Sequence, residues 1–365
     1  KPRVAVVLDG QNPTSAGLLP CYSVNDTVRG EVSVSSPSPV NLQQVCVSLV
    51  GTVKTYVDRL TSAPQAAGSP DIRCTFLNIR HDLLEGTYRL KPDNGNRFQF
   101  SFFLPESLPR RYCDHACEEA VLEAHTRLPP SVGDDSGPEA DTFYPSNVSI
   151  SYAVHARVEL DDASPCLETS RAICMRPAYS RSLCLLPPAI RNESEFRDET
   201  TIRSSFGTRK KGTVIMEMPQ PCVLGLPGPA LVVVNLRYNP EGEDCQPPRL
   251  KDIRTKLIGT TFYATTPRNT FPAKEHLHED LSTALYSRSI ALSPWTIASG
   301  KWQKYPQPAG GYVYAMQLAV PVSLPERASV IPTFHTCFVS RTYRLQLSVA
   351  VTATNFVSLK IPIQI

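Results

Sequence analysis

Residues 22–34 read YSVNDTVRGEVSV and alternate between apolar and polar side chains with a period of two. Five apolar residues share one parity: Tyr22, Val24, Val28, Val32 and Val34. A β-strand sends side chains of one parity to one face, so the stretch predicts a strand with one buried side. Asp26 and Gly30 have the same parity, and they suit a turn and a bulge or bend rather than core packing.

Three further stretches carry the strand signal, whereas helical periodicity is scarce. The stretches are VCVSLVGTVKTYV (45–57), RFQFSFFLP (97–105) and VSISYAVHARVEL (148–160). The clearest helical pattern is residues 114–125, where Asp114 suits an N-cap and apolar residues form a stripe. The sequence therefore predicts an all-β protein with few short helices.

The second half of the chain repeats the order of these motifs. ALVVVNLRY (230–238) matches GEVSVSSP, TKLIGTTFYAT (255–265) matches VSLVGTVKTYV, and SRTYRLQLSVAV (340–351) matches SISYAVHARVEL. Both halves also close a strand with Ser-Leu-Pro, once at 107–109 and once at 323–325. A shared order with variable loop lengths is expected of two copies of one topology, so we predict two tandem immunoglobulin-like β-sandwiches.

The predicted domains are an N-terminal sandwich at residues 1–186 and a C-terminal sandwich at residues 212–365. Between them, residues 187–211 read PPAIRNESEFRDETTIRSSFGTRKK, which is rich in charged and hydroxyl side chains and poor in apolar ones. Such a composition is typical of a polar linker or hinge. Two other polar stretches, 61–71 and 128–147, interrupt the first domain and predict long surface loops.

Composition bounds the class of protein. A length of 365 residues allows two domains that each bury a core. The 34 prolines are nearly double the average usage of about 5%, which favours short strands joined by turns over long helices. The 37 basic and 34 acidic residues give a net charge of only +3. This balance argues against a general nucleic-acid binder.

The cysteines favour a reducing compartment. Eleven cysteines cannot all pair with one another, and Cys46 lies in an apolar strand-like run where a free thiol packs as a small apolar group. Glycosylation triplets at Asn25, Asn147 and Asn192 point instead to secretion. The sequence has no signal peptide and no apolar run of roughly 18 residues. The chain starts without Met and ends inside the strand-like run IPIQI, so we expect missing tails.

Motifs in the first half resemble those of the arrestin N-domain. They are the tyrosine-led strand at 22–34, a Phe-rich strand followed by Leu-Pro at 98–109, Leu-Pro-Pro-Ser at 128–131, and Tyr-x-Val-x-Ala-x-Val at 152–158. The late stretch IPTFHTCFVSRTYRLQLSVAV (331–351) is similar to the last strands of arrestin C-domains, particularly those of fungal α-arrestins. The resemblance covers nearly the whole chain and implies the arrestin fold.

Resemblance to α-arrestins, the arrestin-related trafficking adaptors, implies a non-enzymatic adaptor. Such an adaptor links membrane cargo, a transporter or receptor, to a WW-domain ubiquitin ligase for endocytosis. The implied partners are cytosolic segments of membrane proteins, the ligase and anionic lipid, with no nucleic acid. The implied location is cytoplasmic, peripheral to the plasma membrane or endosomes. The ligase contact normally uses Pro-Pro-x-Tyr, whereas the Pro-Pro pairs here continue as PPSV, PPAI and PPRL.

Two alternatives remain open at this point. A retromer-type coat subunit shares the two-sandwich plan but binds coat partners rather than a ubiquitin ligase. A secreted tandem immunoglobulin-like module would need disulfides and glycans, so its thiols would be oxidised.

No pattern in the sequence predicts a catalytic centre or a cofactor. It contains no Gly-x-Ser-x-Gly and no phosphate-binding glycine loop, so we expect no enzymatic activity. Two groups have metal-ligating residue types: Cys113, His115, Cys117 and His125 in one, and His276 and His278 in the other. The first lacks the spacing of a zinc finger, and its Cys117 belongs to the predicted helix stripe. The second suits a solvated face, and we assign no metal site to either.

Basic clusters are the candidate binding residues. They are Arg110 and Arg111; Arg209, Lys210 and Lys211; and Lys251, Arg254 and Lys256. Arg254 and Lys256 have the same parity on one predicted strand. Guanidinium and ammonium groups bind phosphates and carboxylates through charge-assisted hydrogen bonds. We therefore predict that one of these clusters binds acidic or phosphorylated protein segments, or anionic lipid.

Overall fold

The fold was analysed in a computed structural model of the chain. The structure describes residues 2–10, 19–57, 71–90, 96–133, 141–161, 166–179, 196–204, 209–218, 222–223, 230–274, 280–292, 294–297, 301–308, 310–326, 328–352 and 355–365. In this part of the chain, no helix is both long enough and apolar enough to cross a membrane.

Strands dominate the described residues. Strands β1 to β9 are Arg3–Leu8, Cys21–Tyr22, Thr27–Ser35, Val40–Tyr56, Asp71–Leu90, Asn96–Phe103, Val148–Leu160, Leu167–Met175 and Phe196–Arg203. Strands β10 to β20 are Lys210–Met218, Cys222–Val223, Ala230–Pro240, Asp252–Ala264, Thr283–Ala291, Trp295–Thr296, Gln303–Pro306, Tyr312–Val322, Phe334–His335, Val339–Ala350 and Phe356–Gln364. The helical elements described are α1, Glu119–His125, and a 3-10 turn, Arg110–Tyr112. The predicted all-β class is confirmed.

The chain divides into two compact units. Unit 1 comprises Lys1–Leu183, Thr261–Tyr286 and Ser329–Ser340, and unit 2 comprises Cys184–Thr260, Ser287–Ala328 and Arg341–Ile365. These bounds differ from the predicted domains, because two segments of the second half belong to unit 1. Tyr263 and Phe334 from those segments are buried in the same apolar core as Val154.

Unit 1 contains a three-stranded sheet of order β1-β3-β6 and a five-stranded sheet of order β2-β8-β7-β4-β5. Both contribute to one apolar core, which includes Val32 and Phe102 from the first sheet and Leu49 and Val154 from the second. Burying such a side chain fully stabilises the fold by about 1.5–3 kcal/mol. The alternation of the sequence therefore supplies two apolar faces that pack as a sandwich.

Strand β3 shows why residues 22–34 fold as they do. It pairs antiparallel with β1 and with β6, and it buries Val28, Val32 and Val34. The predicted turn is present, since Asn25 has a φ of 68° and the Ser23 N–H donates to an Asp26 carboxylate oxygen at 2.7 Å.

Gly30 forms no bulge, because the register of β3 is continuous on both sides. A Cβ at Gly30 would lie 2.3 Å from the Val7 carbonyl oxygen and 2.9 Å from the Phe100 ring. The glycine is therefore needed for close packing of three strands rather than for a bend.

Helix α1 is shorter than the predicted helix at 114–125. It begins at Glu119, and its N-cap is Glu118 rather than Asp114. In a helix, side chains two positions apart point away from each other. Residues 113–118 instead bring Cys113 and His115 together, with Sγ and Nε2 3.3 Å apart.

Unit 2 contains a five-stranded sheet of order β16-β17-β12-β10-β9. Its second sheet has the order β11-β20-β19-β13-β14, with β15 beside β13, and the unit 2 parts of β13, β14 and β19 are residues 252–260, 287–291 and 341–350. An Asp198 carboxylate oxygen on β9 accepts a hydrogen bond from the Ser358 N–H on β20 at 2.8 Å, which joins the two sheets.

Strand β9 lies inside the predicted linker at 187–211. It pairs antiparallel with β10 from Phe196, opposite Met218, to Arg203, opposite Lys210. Phe196 and Ile202 are buried, so this polar stretch retains enough apolar anchors for a strand. Residues 187–195 and 205–208 of the linker lie outside the described residues, as do most of the loop at 61–71 and residues 134–140 of the loop at 128–147.

Candidate functional site

The first predicted basic cluster belongs to the 3-10 turn of unit 1. The Arg110 guanidinium forms an ion pair with Glu119, and Arg111 lies over the ring of Tyr112, 5.5 Å from its centroid. One of the two cations is thus already neutralised by a carboxylate.

The second predicted cluster lies at the start of β10. Lys210 Nζ is 3.0 Å from a Glu241 carboxylate oxygen. The backbone carbonyl of Lys211 accepts a hydrogen bond from the Tyr238 hydroxyl at 2.9 Å, and its side chain is exposed. Arg209 is also exposed.

The third predicted cluster leads to a larger surface. Along β13, Ile253, Thr255 and Leu257 are buried, so Arg254 and Lys256 share the opposite, exposed side. This confirms the predicted parity. Lys251 precedes the strand and is exposed as well.

Neighbouring strands extend the third cluster across the sheet. Arg344 on β19 and Lys360 on β20 are exposed between buried neighbours. Arg344 pairs with Pro362, and Lys360 lies two residues before Pro362, so the two cations are diagonal neighbours. Arg254 lies over Phe356 at 5.7 Å from the ring centroid. Phe356 has the parity of Lys360, so β13 and β20 present these side chains on one face.

We call Arg254, Lys256, Arg344 and Lys360 the basic face. The three strands that carry it contain one acidic residue, Asp252. None of the four cations forms an ion pair with any described residue, unlike Arg110 and Lys210. Cations without a carboxylate partner retain their capacity for charge-assisted hydrogen bonds to an incoming anion. The sequence analysis missed Arg344 and Lys360, although both fall on the polar parity of their strands.

A second group of interest lies in unit 1. The ligating atoms of Cys113, His115, His125 and Cys337 are all within 4.8 Å of one another. We call these four residues the Cys–His cluster. Cys113 Sγ is 3.3 Å from His115 Nε2 and 3.6 Å from His125 Nδ1. Cys113 and His125 are buried, whereas His115 and Cys337 are partly exposed.

Burial keeps the Cys–His cluster uncharged. It lowers the pKa of His125 to about 3, with further lowering by His335, His115 and Arg268. Burial also raises the pKa of Cys337 to about 11 and holds the pKa of Cys113 well above its usual range. At neutral pH the His125 imidazole therefore has a free lone pair, and both thiols are protonated.

The sequence analysis considered three of these four residues and missed Cys337. Cys337 is far from the others in sequence, so no local spacing could have included it. Cys117 has its Sγ 3.8 Å from Cys113 Sγ but does not belong to the group of four. The other predicted candidates, His276 and His278, lie outside the described residues.

Comparisons with known proteins are sparse. No family model and no curated protein matches the sequence. Among the solved structures, the chain is similar to the sporulation control protein Spo0M from Bacillus subtilis, at 14% identity. The match covers 66% of this chain and 79% of that chain, with a TM-score of 0.28. A TM-score this low carries no argument, so the resemblance to arrestins rests on the sequence motifs.

Proposed function

We propose that this protein is a non-enzymatic adaptor whose basic face binds acidic or phosphorylated segments of other proteins. The observation that supports the proposal is the row of four exposed cations in unit 2 without a carboxylate partner among the described residues. An adaptor must hold a partner while leaving it chemically unchanged, and a flat charged sheet face suits that task.

The basic face matches the spacing of an extended peptide. Adjacent strands lie about 4.8 Å apart, so cations on β13, β19 and β20 span roughly 10 Å across the sheet. Residues of one parity in an extended peptide repeat every 6–7 Å or so. Two or three phosphates or carboxylates on one side of a peptide would therefore meet different cations of the face.

The resemblance to α-arrestins supplies the finer part of the proposal. In this view, the segments are cytosolic parts of a transporter or receptor, and binding directs that cargo to ubiquitylation and endocytosis. The protein would then act in the cytoplasm, at the plasma membrane or endosomes. This chain contains no Pro-Pro-x-Tyr motif, so the cargo contact is the step that it can be used to test.

A charge-reversal variant tests the proposal. Arg254, Lys256, Arg344 and Lys360 are changed together to Glu, and binding of a doubly phosphorylated acidic peptide is measured by fluorescence anisotropy. Each exposed contact contributes up to about 1 kcal/mol, so loss of two to four contacts should weaken binding roughly 30- to 900-fold. Raising the salt should weaken wild-type binding, because the screening length falls from about 8 Å at physiological salt to about 3 Å at 1 M.

The matched control reverses four exposed cations of unit 1: Arg29, Lys54, Arg73 and Arg89. It has the same change in net charge, so it should retain peptide binding, and thermal melts establish that both variants fold. Equal binding by the two variants would contradict the proposal. Binding to phosphatidylserine vesicles without binding to the peptide would replace the peptide by a lipid surface as the partner.

A further inference from the structure

The Cys–His cluster has the composition and spacing of a structural zinc site. In a tetrahedral site, with Zn–S about 2.3 Å and Zn–N about 2.0–2.1 Å, sulfur and nitrogen ligands lie about 3.6 Å apart. The two contacts of Cys113 Sγ, at 3.3 Å to His115 and 3.6 Å to His125, are close to this edge length. Cys337 completes four ligands within 4.8 Å. We propose that Cys113, His115, His125 and Cys337 bind one zinc ion in unit 1.

Hydrogen bonding within the cluster is a poor explanation for its geometry. The Cys113 sulfur has contacts with His115, His125 and Cys117, and it also interacts with Cys337. A thiol has a single proton and is a weak donor, so it can satisfy only one of these neighbours as a donor. A metal ion at the centre of the group would satisfy both sulfurs and both imidazoles at once.

Each ligand is held by a short local element. Cys113 follows the 3-10 turn, and its N–H donates to the Arg110 carbonyl at 3.0 Å. His125 is the last residue of α1, where the next hydroxyl, that of Thr126, bonds back to the helix.

Cys337 lies in a tight turn between β18 and β19. The Thr336 N–H donates to the Val339 carbonyl at 2.8 Å, and the Val339 N–H donates to Thr336 Oγ1 at 2.9 Å. The Cys337 carbonyl accepts a hydrogen bond from the Arg268 N–H at 2.9 Å. The turn is therefore ordered by its own bonds, and the Cys337 thiol is presented to the other three ligands without further rearrangement of the backbone.

The proposed ion has a structural role. Four protein ligands fill a tetrahedral zinc site and leave no position for water or substrate, which is typical of structural rather than catalytic sites. The site would join the segment around α1 to the turn at Cys337, and both belong to unit 1. Binding replaces the two thiol protons by one divalent ion, so the two protons leave to solvent and the occupied site is electrically neutral.

Metal content is the first measurement. The protein is expressed with zinc, dialysed against buffer without chelator, and assayed by inductively coupled plasma mass spectrometry. We expect about one zinc per chain, as one tetrahedral site requires. Cys113→Ser and Cys337→Ser should each lower the zinc content at least tenfold. Cys117→Ser should retain it, because Cys117 is near the cluster but is not one of the four ligands.

Cys46→Ser is the matched control for burial. Cys46 and Cys113 are each 6% exposed, so the two substitutions place a hydroxyl in equally buried positions of unit 1. Retained zinc in Cys46→Ser, with loss in Cys113→Ser, separates ligation from general damage to the fold. Circular dichroism of each variant shows whether it is folded.

Cobalt substitution provides a test that needs no variant. The apoprotein, prepared with a chelator and a reductant, is titrated with Co²⁺. Strong visible d–d bands together with near-ultraviolet thiolate-to-cobalt bands indicate a tetrahedral site with sulfur ligands. Absence of these bands, or zinc content unaffected by both cysteine variants, would overturn the proposal. A Cys113–Cys337 disulfide in the unreduced native protein, detected by mass spectrometry, would also overturn it.

Discussion

Replacing Gly30 by alanine should destabilise unit 1. Gly30 lies within β3, opposite Leu8 on β1 and opposite Phe100 on β6. The new Cβ would be 2.3 Å from the Val7 carbonyl oxygen, a backbone atom that cannot rotate away. It would also be 2.9 Å from the Phe100 ring and 3.1 Å from the Leu8 Cα. The alanine therefore meets obstacles from both neighbouring strands.

The size of the effect follows from how the strain can be relieved. Cβ atoms essentially never approach a heavy atom closer than 3.0 Å, so β1 must move away by at least 0.7 Å, the difference between 3.0 and 2.3 Å. Overpacking of a core costs about 1–3 kcal/mol, and a lost ladder hydrogen bond costs about 0.5–1.5 kcal/mol. Alanine recovers about 0.4–1 kcal/mol by restricting the unfolded chain. The expected loss of stability is about 2–3 kcal/mol.

Hydrogen–deuterium exchange is the appropriate assay, because two units are not expected to unfold as one two-state system. Peptides from β3 and β6 should exchange faster in Gly30→Ala, while peptides from β10 and β12 should be unchanged. Gly242→Ala is the control, since nothing lies within 4 Å of its added Cβ and its φ is outside the left-handed region. Equal exchange of β3 in the two variants would refute the steric argument.

Three further predictions concern the cores. Gly212→Ala should destabilise unit 2 by a similar amount, because its Cβ would lie 2.5 Å from the Asn239 carbonyl oxygen; urea unfolding that matches wild type would contradict this. Tyr152→Phe should cost about 1–3 kcal/mol, since the Tyr152 hydroxyl donates to the Pro129 carbonyl at 2.5 Å and both groups are shielded from water. Burial raises the pKa of Tyr152 and of Tyr179 above 10, so stability is complete below pH 10 and is lost as pH rises further. Unfolding measured from pH 8 to 12 should show this loss, and Tyr179→Phe should reduce its slope.

Local patterns explain what could be predicted from the sequence. Strand periodicity is a property of neighbouring residues, so the alternation of Val28, Val32 and Val34 identified the buried side of β3. The same reasoning placed Arg254 and Lys256 on one face of β13.

Adjacency between distant segments could not be predicted in this way. Alternation marks Arg344 and Lys360 as exposed, but only strand pairing places them beside Arg254. Similarly, Cys337 joins Cys113 through packing within unit 1, which no spacing rule encodes. The linker prediction failed to anticipate β9 because average polarity conceals two apolar anchors, Phe196 and Ile202.

The composition of unit 1 has a consequence for synthesis on the ribosome. Its last segment ends at Ser340, so its core cannot be completed when the predicted first domain, residues 1–186, has emerged. A further 154 residues, from 187 to 340, must be translated first. At about 5–20 residues per second, this takes roughly 8–30 s. During that interval the core positions later filled by Tyr263, Phe334 and Phe338 lack their side chains, so nascent unit 1 is a natural client for ribosome-associated chaperones.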